Sequence, residues 1–142
     1  MVAVLSKVLH FPATVDTDRI SGYDYGSAWD WARFGLLHLW DSVWPTPDGG
    51  SDRILPEGWV DFVRTPAPGA ERRNYGGLFW VNRGGALPEA PEDAYWALGA
   101  MGQYTIIVPS HDLVVVRLGP SPGGHEAYMS GIIGQLTAAI DR

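Results

Sequence analysis

Two apolar runs near the end of the chain constrain its fold more than any other feature. Gln103 to Pro109 and Leu113 to Leu118 are rich in β-branched residues, and only Ser110-His-Asp112 separates them. Two such runs, joined by a short polar turn, predict an antiparallel hairpin. Because Asp favours turns, His111 and Asp112 are interpreted as the tip of this hairpin rather than as a reactive pair.

Two more predicted strands precede the hairpin. Gly76 to Asn82 and Ala94 to Ala100 are the apolar segments, and a Gly/Pro-rich loop connects them. Gly99 and Gly102 then lead into the hairpin through a Gly-x-x-Gly-Gln pattern. Glycines between two β-rich runs indicate a bend or a backbone brought close to a ligand. The pattern predicts an antiparallel sheet of about four strands.

A long helix is predicted in the first half of the chain. Ser27 stands three residues before Asp30, which is the spacing of a capping box, and Pro45 and Pro47 stop the helix after Trp44. Asp30 and Arg33 have the spacing of an ion pair, and His38 is expected to pack among aromatic rings. Apolar residues occupy both sides of this helix, namely Trp29, Ala32, Leu36, Leu39 or Trp40, and Val43 on one side and Trp31, Phe34 and Leu37 on the other. The helix 28–44 therefore offers apolar surface to a partner.

Two more helices complete the predicted order. Leu55 to Arg64 forms a short helix, and His125 to Asp141 forms an amphipathic one. The apolar face expected for the last helix consists of Tyr128, Ile132, Ile133, Leu136, Ala139 and Ile140. The predicted fold class is α+β, with the C-terminal helix packed on the sheet and residues 1–26 as a turn-rich beginning. The length of 142 residues suits a single unit, 1–142.

Composition excludes several classes of function. The formal charge of −6 argues against nucleic-acid and anionic-membrane partners. The chain has no cysteine, and its first residues resemble neither a signal peptide nor a membrane span. The four histidines are far apart, so neither a metal nor a cofactor is expected. These observations leave the compartment undetermined.

Common catalytic motifs are absent. None of the eight serines lies in Gly-x-Ser-x-Gly. The single lysine, Lys7, directly follows Ser6, so there is no Ser-x-x-Lys, and Tyr-x-Asn is missing as well. Glu89, Glu92 and Asp93 lie in a Gly/Pro loop and are interpreted as a solvated acidic rim. The chain therefore lacks a recognisable nucleophile.

Four segments in a fixed order nevertheless resemble a known family. They are Ser27 to Leu37, Arg53 to Pro66, Tyr75 to Trp80 and Ala97 to Gln103. Together they resemble the C-terminal part of the β-lactamase-like serine hydrolases, which include class C β-lactamases, D-alanyl-D-alanine carboxypeptidases, family VIII esterases and 6-aminohexanoate-dimer hydrolases. The resemblance covers about residues 14–142 and implies a partial β-lactamase/transpeptidase-like fold.

The resemblance implies serine acyl transfer, in which a serine is acylated, a lysine and a tyrosine move its proton, and two backbone N–H groups bind the oxyanion. The serine, lysine and tyrosine belong to the family's N-terminal half, outside this chain. The third element, a Lys-Thr-Gly strand, aligns with either Ala94–Trp96 or Ala97–Gly99. The second alignment is preferred because it keeps the glycine and makes the Ala100 N–H an oxyanion donor. The loss of the lysine favours esterase or amidase relatives.

The resemblance thus implies an oxyanion wall without catalytic residues of its own. This oxyanion wall consists of Ala97, Leu98, Gly99, Ala100, Gly102 and Gln103. The expected partner is the missing N-terminal half, or a second copy bound through the apolar helix. A non-catalytic module that docks a separate partner through helix 28–44 is the alternative hypothesis, and an independent small binding protein is a third.

Overall fold

A computed structural model describes residues 26–121 and 123–142, so the predicted beginning of the chain before Gly26 lies outside the described residues. The elements, in order, are α1 (Ala28–Leu39), β1 (Val43–Pro45), β2 (Ser51–Arg53), α2 (Trp59–Arg64), β3 (Trp80–Val81), β4 (Tyr95–Gly99), β5 (Gln103–Val108), β6 (Leu113–Arg117) and α3 (His125–Ile140). The predicted α+β class is confirmed. Within the described ranges, no helix is long and apolar enough to cross a membrane.

A four-stranded antiparallel sheet forms the centre of the fold, in the order β3-β4-β5-β6. Each strand pairs with its neighbours in sequence, as Tyr95 with Ile107 and Ile107 with Val114. The turn between β5 and β6 contains His111 and Asp112, as predicted, and Asp112 has a left-handed φ of 46°. The two-stranded hairpin of β1 and β2 stands apart from this sheet.

The two faces of the sheet bury different cores because side chains alternate along each strand. Tyr95, Ile107 and Val114 face α1 and α2, and they pack with Leu36 and Val63. On the opposite face, the core that α3 covers consists of Leu87, Ala94, Trp96, Tyr104, Ile106, Val108, Leu113, Met129 and Ile133. Helices therefore cover both faces of the sheet.

Local interactions fix α1 on the first face. Its capping box forms as predicted, with Ser27 and Asp30 each accepting a hydrogen bond from the backbone of the other. The Arg33 guanidinium lies 3.1 Å from the Asp30 carboxylate, which confirms the predicted ion pair. His38 is buried against the rings of Phe34 and Phe79, so it packs as predicted. Its carbonyl accepts a hydrogen bond of 3.1 Å from the Tyr95 hydroxyl.

The predicted end of the first helix is wrong. The helix stops at Leu39 rather than Trp44, because Asp41 and Ser42 both adopt a left-handed backbone, with φ of 48° and 64°. The chain then turns into β1, which carries the Trp44 ring into the core. Strand β2 follows, and its Asp52 pairs with Trp44. If the helix continued to Trp44, the Trp44 ring would not reach the core in this way.

The segment 76–82 was predicted as a strand, but only Trp80–Val81 is one. Gly76 and Gly77 form a tight turn against α2, and the Gly76 N–H donates to the Phe79 carbonyl over 2.8 Å. A Cβ on Gly76 would lie 2.2 Å from the Val63 carbonyl oxygen. The close contact with α2 therefore removes this segment from the sheet. Helix α2 itself begins at Trp59, four residues later than the predicted Leu55.

The loop between β3 and β4 is organised by Asn82, which is buried. Its side-chain oxygen accepts a hydrogen bond of 2.8 Å from the Leu87 N–H, and its amide nitrogen donates to three loop carbonyls. The loop then meets α3, where the Ser130 hydroxyl accepts a hydrogen bond of 2.9 Å from the Glu89 N–H. One flank of α3 is thereby packed against this loop.

The predicted apolar face of the last helix is wrong in most positions. The buried residues of α3 are Met129, Ser130, Ile133 and Thr137. Ser130 and Thr137 can be buried because their hydroxyls are hydrogen-bonded: Ser130 accepts from the Glu89 N–H of the loop, and Thr137 donates to the Ile133 carbonyl of its own helix. Four of the six residues expected inside, Tyr128, Leu136, Ala139 and Ile140, are exposed, whereas Ile133 is buried as predicted.

Candidate functional site

The six residues predicted to form an oxyanion wall lie together at one end of the sheet. Ala97, Leu98 and Gly99 form the last part of β4, Ala100 and Gly102 belong to the turn, and Gln103 begins β5. Gly99 and Ala100 are exposed, whereas Gly102 is buried. The structure therefore brings these residues together and presents part of their backbone at the surface.

The outer side of β4 is open beside the wall. Strand β3 pairs only with Tyr95 and Trp96. Within the part of the chain that the structure describes, β5 is the sole pairing partner of Ala97, Leu98 and Gly99. A strand edge of this kind offers its backbone N–H and C=O groups to an extended ligand.

The turn after β4 has a constrained backbone. Met101 and Gly102 both lie in the left-handed region, with φ of 58° and 78°. Gly102 also lies close to the ring of His125. A Cβ at position 102 would be only 2.6 Å from His125 Cγ, which is too short for any side chain. Conformation and space thus both require glycine at position 102. The bend predicted from Gly102 is confirmed.

Arg117 holds this turn from the end of β6. Its guanidinium donates to the carbonyls of Gly102 and Gly119 and to the Ser121 hydroxyl. The Ser121 N–H in turn donates to the Met101 carbonyl over 2.7 Å. Sequence reasoning missed Arg117 and Ser121, since one arginine at a strand end gives no signal of its partners. Their bonds hold the Met101 and Gly102 carbonyls in place.

A tyrosine and a histidine pair behind the turn. The Tyr104 hydroxyl lies 2.7 Å from Nδ1 of His125, which is the first residue of α3. Burial raises the pKa of Tyr104 to about 12, the Glu126 carboxylate adds to the increase, and Arg117 opposes it. Tyr104 is therefore a neutral phenol at pH 7 and packs beneath the wall instead of acting as a base.

A serine and a histidine meet at the opposite end of β5. The Ser110 hydroxyl is 2.8 Å from His111 Nδ1 and 2.9 Å from an Asp93 oxygen, and His111 Nε2 is 3.5 Å from Asp141. Asp93 also accepts a hydrogen bond from the Ser110 N–H. The six residues of β5 separate this cluster from the wall by about 17–20 Å. It therefore cannot supply the wall with a nucleophile.

The predicted acidic rim is partly engaged in bonds. Glu89 and Glu92 are exposed, and Glu92 lies 3.4 Å from the Arg83 guanidinium, but Asp93 is half-buried and accepts hydrogen bonds from Ser110. No group of three or more His, Asp or Glu side chains suited to a metal ion occurs among residues 26–121 and 123–142. Through Asp93, the rim therefore joins the loop before β4 to the turn between β5 and β6.

A groove of about 680 Å³ lies along the C-terminal half of α3. It is lined by Glu89, Gly134, Gln135, Ala138 and Arg142. The wall lies near His125, at the other end of this helix. The groove is thus separate from the candidate site.

Comparison of the chain with protein-family models and with curated proteins returns no match. The resemblance to β-lactamase-like serine hydrolases accordingly rests on the order of the four sequence segments alone. What the geometry of residues 97–103 offers is an exposed strand end beside a constrained turn.

Proposed function

We propose that this chain supplies the C-terminal portion of a β-lactamase-like serine hydrolase, and that its oxyanion wall lines a site whose nucleophile comes from a separate N-terminal half. The observation that carries the proposal is the open edge of Ala97 to Gly99, which runs directly into the exposed Ala100. The order of the four resembling segments supports it further.

The chemistry expected of the assembled site is ester or amide hydrolysis. A serine of the N-terminal half would attack the substrate carbonyl and expel the alcohol or amine, and water would then release the acyl group. The Ala100 N–H would donate to the oxyanion that forms in each step. The open edge of β4 would hold an extended substrate beside it. Alone, the chain would bind the oxyanion without a serine to generate it.

The alternative of a pairing module that docks through helix 28–44 has less support. Helix α1 ends at Leu39 and buries Ala32, Leu36 and Leu37 in its own protein. Its exposed aromatic residues are Trp29 near the beginning and Trp40 just after the end. A continuous apolar docking helix over 28–44 is therefore not available.

Reconstitution tests the proposal. The reading frame upstream of Met1 is searched for Ser-x-x-Lys and Tyr-x-Asn, and that segment, or the N-terminal half of a family member, is co-expressed with this chain. We expect the complex to hydrolyse a chromogenic ester. Ala100→Pro removes the proposed donor and should lower kcat by roughly 10²–10³, as the loss of one oxyanion donor does.

Ala100→Ser is the matched control, because it keeps the backbone N–H and should retain activity. Circular dichroism and co-purification establish that each variant is folded and bound to the N-terminal half. A folded Ala100→Pro complex with undiminished kcat would contradict the role of Ala100. A folded complex without any esterase or amidase activity would contradict the proposed function.

A further inference from the structure

A row of four polar side chains crosses the turn between β5 and β6, at the far end of β5 from the oxyanion wall. The Ser110 hydroxyl lies 2.9 Å from an Asp93 oxygen and 2.8 Å from His111 Nδ1. On the other side of the ring, His111 Nε2 lies 3.5 Å from an Asp141 oxygen. We call these four residues the turn cluster. Each of its three links needs one hydrogen between two electronegative atoms to be a favourable contact.

The number of hydrogens available to the turn cluster depends on the charge of His111. The Ser110 hydroxyl has one hydrogen, and an ionised carboxylate has none. A neutral imidazole has one N–H, so the ring and the hydroxyl together supply two hydrogens for three links. An imidazolium has two N–H groups and supplies the third hydrogen. The charged form of His111 therefore satisfies every link, whereas the neutral form leaves one unmet.

With a neutral ring, two lone pairs must face each other somewhere in the turn cluster. If Ser110 donates to Asp93, its oxygen accepts from Nδ1–H of His111, and the bare Nε2 then faces the Asp141 carboxylate. If the ring carries its hydrogen on Nε2 instead, the Ser110 hydroxyl can donate to Asp93 or to Nδ1, but not to both. The His111 side chain is only 14% exposed, so water reaches the ring in part. The unmet link consequently has a free-energy cost.

The end of α3 gives an independent reason for a positive charge at His111. The last turn of this helix contains no basic residue, and its C-cap is Asp141. A carboxylate at the negative end of a helix dipole is unfavourable, and a cation there is favourable. A charged His111 beside the Asp141 carboxylate compensates both the carboxylate and the dipole.

The charges around the ring are mostly negative. Its carboxylate neighbours are Asp93 in the loop before β4, Asp112 in the turn and Asp141 at the end of α3. Arg142 follows Asp141, and Glu92, which precedes Asp93, is paired with Arg83. The surroundings of the ring thus suit a cation.

We propose that protonated His111 holds the end of α3 against the turn between β5 and β6 and the loop before β4, an arrangement that we call the clasp. Imidazoles change charge between pH 5 and pH 8, and aspartates are ionised throughout this range. The clasp is therefore complete near pH 5 and is lost as the pH rises toward 8. Arg142, which lines the groove along α3, directly follows Asp141, so loss of the clasp also frees one side of that groove. The proposal concerns contacts within this chain and stands independently of the hydrolase proposal.

Urea denaturation of the full chain at pH 5 and pH 8 measures the clasp. The quantity compared is the unfolding equilibrium constant at pH 8 divided by that at pH 5, because the other histidines contribute to this ratio alike in every variant. Asp141→Asn removes the carboxylate of the clasp and should lower the ratio about three- to tenfold relative to the unmodified chain, the range for a charge at a helix end. His111→Gln should lower it by a similar factor.

Asp112→Asn is the matched control. It removes the same charge one residue after His111, from an exposed side chain outside the turn cluster. Asparagine also tolerates the left-handed backbone of position 112, whose φ is 46°. This variant should change the ratio by less than about twofold, because an exposed charge without a direct contact is well screened.

Hydrogen exchange on the same proteins locates the effect. Amides of Ala138, Ala139 and Ile140, in the last turn of α3, should have protection factors about three- to tenfold higher at pH 5 than at pH 8, and Asp141→Asn should remove this difference. An Asp141→Asn or His111→Gln ratio equal to that of the unmodified chain would overturn the proposal. So would an Asp112→Asn ratio that falls as far as that of Asp141→Asn, or last-turn protection factors that do not depend on pH. Circular dichroism at both pH values establishes that each variant is folded.

Discussion

At the scale of single residues, the corner after α1 carries a local energetic cost. Asp41 and Ser42 are adjacent non-glycine residues in the left-handed region, where side chains clash with the backbone. The Ser42 side chain is fully buried, and its hydroxyl has no hydrogen-bond partner among the described residues. The Ser42 N–H nevertheless donates to the Leu37 carbonyl over 2.7 Å, which closes the helix. The turn that carries Trp44 into the core therefore strains the Ser42 backbone and leaves the Ser42 hydroxyl without a partner among the described residues.

Replacing Ser42 should stabilise the protein. Ser42→Gly relieves the left-handed strain and removes the unpaired hydroxyl, and these gains exceed the added entropy of the unfolded chain. We expect the free energy of unfolding to rise by about 1 kcal/mol in urea denaturation. Ser42→Ala removes the hydroxyl but keeps the strain, so it should gain less. A destabilised Ser42→Gly would show that the hydroxyl has a partner in solution.

Tyr104 makes stability depend on alkaline pH. Its pKa is about 12 in the folded protein because the ring is buried, compared with about 10 in an unfolded chain. The folded state holds this proton more tightly, so the stabilisation is complete below pH 10 and is lost as pH rises through 12. We expect the free energy of unfolding to decrease over this window. Tyr104→Phe should make the decrease smaller, and an unchanged pH profile in this variant would contradict the assignment.

At the scale of elements, two glycines in helices have opposite roles. Gly35 lets α1 approach the sheet, because a Cβ there would lie 2.5 Å from Val114 Cγ1 and 3.1 Å from Thr105 Cγ2. Gly131 of α3 has ordinary space around it, with the nearest atom 3.9 Å away. The distance between α1 and the sheet thus depends on the absence of a side chain at position 35.

Alanine at these two positions should shift stability in opposite directions. Gly35→Ala must separate α1 from β6 and should destabilise by about 1–3 kcal/mol, the usual cost of overpacking. Gly131→Ala should stabilise by roughly 0.5–1 kcal/mol through helix propensity. Urea denaturation of both variants measures the difference. Equal shifts would contradict the close packing at Gly35.

Some elements were predictable from the sequence, whereas some boundaries and buried faces were not. The predicted hairpin at 103–118 is confirmed because its alternation and turn are local features. The end of α1 was missed because tertiary burial of Trp44 outweighs helix continuity. The buried face of α3 was missed because Ser130 acquires its partner, the Glu89 N–H, only in the fold, and because the Thr137 hydroxyl is satisfied by the Ile133 carbonyl of its own helix. Local patterns predict that an element is present, whereas its boundaries and its buried face depend on contacts with distant residues.

At the scale of the whole molecule, the candidate site was predictable only in part. Gly99 to Gln103 carried a signal of a bend, and the structure places a constrained turn there. Arg117 and Ser121, which hold that turn, follow it by more than a dozen residues and match no motif. The open edge of β4 is a property of the assembled sheet, so no local pattern reveals it. The edge of β4 is where the account places the substrate.

The most direct test of the central claim is to locate a covalent label. A fluorophosphonate is incubated with the reconstituted complex of this chain and its N-terminal half, and the modified serine is identified by peptide mass spectrometry. The account predicts a label on the Ser-x-x-Lys serine of the N-terminal half, and none on the eight serines of this chain, alone or in the complex. A label on any of those eight serines would contradict it, because this chain would then contain a nucleophile of its own.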